Sequence, residues 1–182
     1  KPVTLALPKE SKKFFGQNAH LPMKNLILFA DYQFSNLFQL EDRIKSGTVT
    51  VELNAFTTEQ WDIFTKAMLE MAQMNAKEIA RQVPVLSSHR KLLDLGGSHG
   101  LYAIEICKRT PHLSAEIIDL SPVEIYANQI IEDYRMSSRV KFSPRNFMED
   151  GFGQGYDIIL AFSIIHGFTS QINQNLTDRI YK

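Results

Sequence analysis

One stretch, Lys91-Leu92-Leu93-Asp94-Leu95-Gly96-Gly97-Ser98-His99-Gly100, constrains the fold more than any other part of the chain. A short apolar run ends in an acid, glycines follow, and Leu101-Tyr102-Ala103-Ile104 resumes apolar spacing at helical period. This pattern predicts a strand, a tight turn and a helix. Glycine admits positive φ and lets a ligand approach main-chain N–H groups at a helix start, where the dipole favours electron-rich atoms. The ligand suggested by such a turn is a nucleotide-like cofactor.

From Lys91 onward short apolar runs alternate with helical stretches. Strands are predicted at 92–95, 115–120, 140–142 and 156–163, with helices at 101–109 and 123–134. Thr110-Pro111 stops the first helix, and Ser121-Pro122 supplies the second with an N-cap and a favoured first-turn proline. Fully apolar strands separated by helices indicate a parallel sheet covered on both faces.

Ahead of this section the chain reads differently. Residues 1–15 suggest a short strand or loop carrying Lys9, Lys12 and Lys13, then a turn at Phe14-Phe15-Gly16. Residues 21–44 read as two helices interrupted at Ser35-Asn36, and Lys45-Ser46-Gly47-Thr48 closes them as a C-cap and turn. Thr57 with Gln60 three positions on has the form of an N-terminal capping box. The helix behind it carries Trp61, Phe64, Met68, Met71 and Ile79 and runs to about Arg81, ahead of Pro84. That stripe reads first as core packing and alternatively as the wall of a ligand pocket. The two parts divide at 86–90, giving domains at 1–86 and 87–182.

Composition narrows the function. The 182 residues suffice for one domain plus an appended piece, and with no net charge nothing electrostatic argues for nucleic acid or an anionic membrane as partner. The lone Cys107 excludes an internal disulfide framework, fits a reducing, cytoplasmic setting, and is expected to pack beneath the sheet. No run approaches the roughly 20 apolar residues of a membrane span, and the stretch opening Lys1-Pro2-Val3-Thr4 does not read as the apolar h-region of a signal peptide. His20, His89, His99 and His112 show no metal-ligand spacing, so no metal site is predicted.

The loop departs from the dinucleotide fingerprint, because Gly96-Gly97 is followed next by Gly100. Asp94 would meet an anionic pyrophosphate unfavourably and a cofactor bearing an ammonium and a sulfonium favourably. It therefore turns the choice from NAD toward S-adenosylmethionine. Asp119 ends the second strand about 20 residues on, where α/β nucleotide sites place an acid on the ribose hydroxyls. Asn146 and Phe147, after the third strand, read either as an amide and an aromatic for an adenine or as an ordinary polar loop over an apolar plug. His166 follows the fourth strand on the ligand-binding edge, with a side chain suited to proton abstraction near neutrality.

With these residues in place the chain resembles the S-adenosylmethionine-dependent O-methyltransferases of the plant phenolic and bacterial antibiotic-tailoring type. The resemblance runs through Phe64-x-x-Ala67-Met68, Leu92 to Gly97, Asp119-Leu120 with Pro122, Arg139-Val140, Phe147 with Glu149-Asp150, and Tyr156-Asp157-Ile158-Ile159-Leu160 on to His166. It implies an N-terminal winged-helix-like dimerisation region, hence a homodimer, and a class I Rossmann-like domain. It further implies that Asp94, Gly96, Gly97 and Gly100 shape the cofactor loop and that Asp119 and Leu120 hold the ribose. Asn146 and Phe147 then flank the adenine, Ser163 borders the cofactor, and Phe64, Met68 and Phe168 line the substrate pocket. His166 becomes the general base that deprotonates a hydroxyl of a small, aromatic acceptor. The family pattern has glycine where Ser98 stands, Gly-Asp where Arg145-Asn146 stand, and His-Asp-Trp where His166-Gly167-Phe168 stand.

The class I sheet has strand order 3-2-1-4-5-7-6, and this sequence reads only as far as strand four. The expectation is an incomplete sheet whose fourth strand is a long apolar edge, with strands five to seven supplied by a further segment or chain. Beside the methyltransferase stands a second reading, a non-catalytic or partner-completed cofactor-binding scaffold. An NAD-dependent enzyme is opposed by Asp94, and DNA binding rests on fold analogy alone.

Overall fold

The computed structural model describes residues 6–16, 18–38, 40–47 and 56–181. Residues 1–5 of the strand or loop expected over 1–15, and Thr48 of the expected turn, lie outside them; in place of the expected turn at Phe14-Phe15-Gly16, Lys12–Phe15 form a short helix that Gly16 ends. By contacts the chain forms two compact units, Lys1–Met74 and Asn75–Lys182. The division falls inside a helix, upstream of the 86–90 stretch.

In the first unit the described elements are helices: α1 (Lys12–Phe15), α2 (Lys24–Leu37), α3 (Leu40–Ser46) and the beginning of α4 (Thr58–Gln82). Ser35 and Asn36 do not break α2, which continues to Leu37, because Ser35 turns its hydroxyl back onto the Asp31 carbonyl at 3.0 Å without leaving helical geometry. Gly47 ends the section at φ 71°, a left-handed conformation that glycine takes at least cost. The capping box forms as the sequence predicts: the Gln60 amide donates to Thr57 Oγ1 at 3.2 Å, and the Thr57 amide donates to Gln60 Oε1 at 2.8 Å. A second cap has no local signal. Buried Glu70 on α4 accepts from the Asn25 and Leu26 amides and from Asn25 Nδ2 at 2.7–3.2 Å, so its charge sits at the positive end of α2.

The second unit is an α/β layer structure. Its strands are β1 (Lys91–Leu95), β2 (Ser114–Asp119), β3 (Val140–Pro144) and β4 (Ile158–Leu160), all parallel and ordered β3-β2-β1-β4. Between them run α5 (Leu101–Arg109) and α6 (Glu124–Asp133), the latter entered through a 3-10 turn at Ser121–Val123. Leu92, Leu93 and Leu95 are completely buried, each stabilising the fold by about 1.5–3 kcal/mol relative to exposure. Cys107 is buried on α5, its thiol pushed up to about 11 by burial.

The fourth strand is shorter than the pattern predicts. Only Ile158–Leu160 pair with β1, because Asp157 is fixed at its start by accepting the Arg90 and Lys91 amides, and the chain reverses at Ser163 with φ 57°. Among the described residues the edge is thus short rather than long. A helix that the sequence reading did not include, α7 (Ser170–Ile180), covers one face: Leu176 and Ile180 pack with Leu93, Leu95, Ile118 and Phe152. Ile172, Leu176 and Ile180 at four-residue spacing behind the N-cap Thr169 carried that signal.

Arg139 ties the strand layer to the helix layer. Its Nη1 donates to the carbonyls of Cys107, Thr110 and Leu113 at 2.6–3.1 Å, satisfying the end of α5 from the start of β3. Replacing it by methionine leaves these acceptors unpaired, and the expected loss in urea unfolding is about 2–3 kcal/mol.

Candidate functional site

The sheet order reverses between β1 and β4, and at such a switch point the carboxyl ends of the two strands open a crevice. The glycine turn that follows β1 enters it. Gly96 and Gly100 take φ 66° and 70°, and a side chain at Gly100 would run into Ile117 Cδ1. A Cβ on Gly97 would lie 2.5 Å from Asp94 Cγ, so this glycine is required by close approach to the carboxylate beneath it. Ser98 also adopts the left-handed region, at φ 45°. That strain costs a residue with a Cβ roughly 1–2 kcal/mol.

Asp94 is 1% exposed. Burial first, and the neighbouring Asp119 charge second, push its carboxyl up to about 7, against the pull of the Ala103 amide in the first turn of α5. Its Oδ2 has no hydrogen-bond partner among the described residues. Asp119 is likewise raised by burial and opposed by two amides, those of Leu120 at 2.7 Å and Ser98 at 2.8 Å. These bonds fasten the loop to the end of β2. Two adjacent carboxylates, one with an unpaired oxygen, make the floor of the crevice a place for a cation or for donors.

The remaining predicted residues fall into groups. Asn146 accepts the Met148 amide on Oδ1 at 3.1 Å and so shapes its own loop. Phe147 lies against the turn, with Cε1 3.6 Å from where a Gly96 Cβ would be, and meets Phe168 edge-on at 6.3 Å between ring centroids. Arg179 of α7 holds this loop by donating to the Phe147 carbonyl at 2.7 Å and the Met148 carbonyl at 3.3 Å. His166 is exposed on a 3-10 turn, Ile165–Gly167, and no described carboxylate hydrogen-bonds its ring. Asn173, which sequence reasoning missed, steadies that turn: its Nδ2 donates to the Ile165 carbonyl at 2.8 Å and the Phe168 carbonyl at 3.4 Å. Ser163 is exposed at the reversal after β4.

In the second unit the turn with Gly96, Gly97 and Gly100 thus lies over Asp94, is bonded to Asp119 next to Leu120 and packs against Phe147, which meets Phe168, while Asn146, Ser163 and His166 lie on the loops after β3 and β4. Phe64 and Met68 belong to the first unit, where Phe64 packs among Phe29, Phe56 and Trp61 at 5.3–6.0 Å. Core packing is the role these contacts display. A cavity of about 360 Å³ lies elsewhere, at the amino ends of the strands, between Lys91, Glu116, Lys141 and Tyr156, and holds none of the predicted residues. Among the described residues no cluster of three or more His, Cys, Asp or Glu could hold a metal, and no helix is long and apolar enough to cross a membrane.

Residues 43–182 match the family model for the O-methyltransferase domain. The chain belongs to that family. This O-methyltransferase domain is 29% identical over 113 residues to the 3-hydroxy-5-methyl-1-naphthoate 3-O-methyltransferase of Streptomyces sahachiroi, covering 62% of the chain and 32% of that enzyme. It is 25% identical over 118 residues to the L-tyrosine C(3)-methyltransferase of Streptomyces lavendulae, covering 65% and 31%. Human N-acetylserotonin methyltransferase, solved in complex with SAM, shares its fold with a TM-score of 0.77 at 19% identity, over 96% of this chain and 53% of that one. The matches thus span about a third of these curated relatives and half of the solved one.

A buried acid with a raised pKa makes stability depend on pH in a defined direction. The unfolded chain loses the Asp94 proton near pH 4 and the folded chain near 7, so stability is full below pH 4 and falls as pH rises through 7, by on the order of 4 kcal/mol from this group. In Asp94→Asn this part of the slope is expected to vanish, which thermal unfolding at pH 5 and pH 8 measures. Equal slopes in the two proteins contradict the assignment.

Proposed function

We propose that the crevice binds S-adenosylmethionine and that the chain is the cofactor-binding part of an enzyme methylating a hydroxyl of a small, aromatic molecule. The observation that carries this reading is the buried Asp94 carboxylate, its Oδ2 without a hydrogen-bond partner among the described residues, beneath a turn whose glycines fit closely over Asp94, Ile117 and Ile164. The residues present fit the cofactor: a carboxylate for its positive charges, Asp119 for the ribose diol beside Leu120, and Phe147 with Asn146 for the adenine. Gly96, Gly97, Gly100 and Ser163 border it. The cofactor supplies a methyl group on a cationic sulfur that leaves as the neutral thioether of S-adenosylhomocysteine.

The chain's own residues have two tasks. The loop and the two acids fix position, which is the larger part of catalysis when an activated methyl group is transferred. His166, on the turn that Asn173 steadies, takes the proton of the acceptor hydroxyl. Phe168 offers an aromatic wall beside Phe147. The protein is proposed to act in the cytoplasm.

Two assembly proposals accompany this reading. The free side of β4 is completed by further strands, from another segment or another chain. The helical first unit, winged-helix-like in kind, pairs with its copy in a homodimer: Ile27, Phe34 and Phe38 leave an apolar stripe exposed along α2 and just beyond it. Light scattering is expected to give twice the chain mass, and Phe34→Glu with Phe38→Glu to give a monomer.

A second reading, cofactor binding without turnover, is favoured by one observation: no described carboxylate orients His166. Calorimetry with S-adenosylmethionine and a methyl-transfer assay separate the two. The enzyme reading expects Asp119→Asn to weaken binding about 10-fold or more. It expects His166→Ala to keep binding and slow transfer by about 10²-fold or more. Binding without transfer in the unmutated protein supports the scaffold instead.

A further inference from the structure

Two aromatic rings that no motif accounts for stand at the same switch point. Tyr102 is the second residue of α5, and Phe162 lies two residues beyond β4. Their centroids are 5.0 Å apart with planes inclined at 61°, an edge-to-face pair. Leu160, two residues before Phe162, is the register partner of Asp94 across the β1–β4 ladder, so Phe162 leaves the carboxyl end of β4 beside the end of β1. Burial pushes the Tyr102 phenol up, against the Asn75 hydrogen bond and with a smaller contribution from the Asp94 charge. Tyr102 is held in place by its hydroxyl, which donates to Asn75 Oδ1 at 3.1 Å. Both rings are only half-buried and keep surface open to a ligand.

Aromatic faces attract desolvated cations, and a carboxylate with an unpaired oxygen beside them adds to that attraction. The substrate and product forms of the cofactor carry the same adenosine and the same amino-acid end. They differ at one atom, a sulfur that is cationic before transfer and neutral after it. Contacts to the shared ends hold both forms alike, so discrimination has to come from groups that respond to charge at the sulfur.

We propose that Tyr102 and Phe162 form a charge-reading wall that favours the sulfonium cofactor over its neutral thioether product. The proposal rests on the reading of the crevice as an S-adenosylmethionine site and adds to it the residues that set specificity between the two forms. With such a wall the product leaves faster than the shared contacts alone would allow.

Calorimetric titration with S-adenosylmethionine and, separately, S-adenosylhomocysteine tests this. The proteins are the unmutated chain, Tyr102→Leu, Phe162→Leu, their combination, and Tyr102→Phe, with circular dichroism confirming that each is folded. The double leucine variant is expected to lose about tenfold in affinity for the sulfonium form and less than about twofold for the thioether. Tyr102→Phe, which keeps the ring and loses the Asn75 bond, is expected to keep the ratio. Equal losses for both ligands, or a ratio abolished by Tyr102→Phe as fully as by leucine, overturn the wall and leave the cofactor reading standing. No binding of either ligand by the unmutated chain overturns the cofactor reading itself.

Discussion

The structure depends on a carboxylate held where water does not reach. Asp94 ends β1 beneath the glycine turn, and its side chain faces the first turn of α5, where the Ala103 amide offers partial compensation. Burial of an acid costs far more than one amide returns. The chain fits closely over this side chain at Gly97, which has no Cβ because the carboxylate occupies the space; Gly100 has none for a separate reason, its close approach to Ile117. A purely structural turn gains nothing from such an arrangement. A site that must hold positive charge does, because the penalty borne by the free protein is relieved when a cation arrives.

The sheet decides where that charge is presented. The order β3-β2-β1-β4 leaves a gap between the carboxyl ends of β1 and β4, and the loops that matter emerge there. Asp119 at the end of β2 clasps the turn through the Ser98 amide, and Arg179 holds the Phe147 loop from the far side. The phenylalanines do double service, since Phe147 packs against the core under α7 while it walls the crevice beside Phe168. Membership of the O-methyltransferase domain family agrees with this layout.

What was legible in the sequence was local. The β1 strand, the turn and α5 follow from an apolar run, an acid and glycines in immediate succession, and the Thr57–Gln60 box is written in residues three apart. The length of β4 was not legible from its apolar run, because the strand ends where Ser163 reverses the chain, and nothing in Leu160 to Ile164 declares that reversal. Glu70 capping α2 across about 45 residues, and Asn173 steadying the His166 turn, depend on how elements pack, and an isolated Glu or Asn gives no sign of it. Tyr102 and Phe162 were hidden for a related reason: each fits its own element as an ordinary apolar position, and their meaning lies in meeting.

Asp94 is a buried acid with a raised pKa, and the proposed binding of a cationic cofactor turns on it. The most direct measurement is the number of protons exchanged on binding S-adenosylmethionine at pH 6, from calorimetry in buffers of different ionisation enthalpy. With a carboxyl raised to about 7, binding is predicted to release close to one proton, and Asp94→Asn close to none. Binding by the unmutated chain with no proton release would contradict the account.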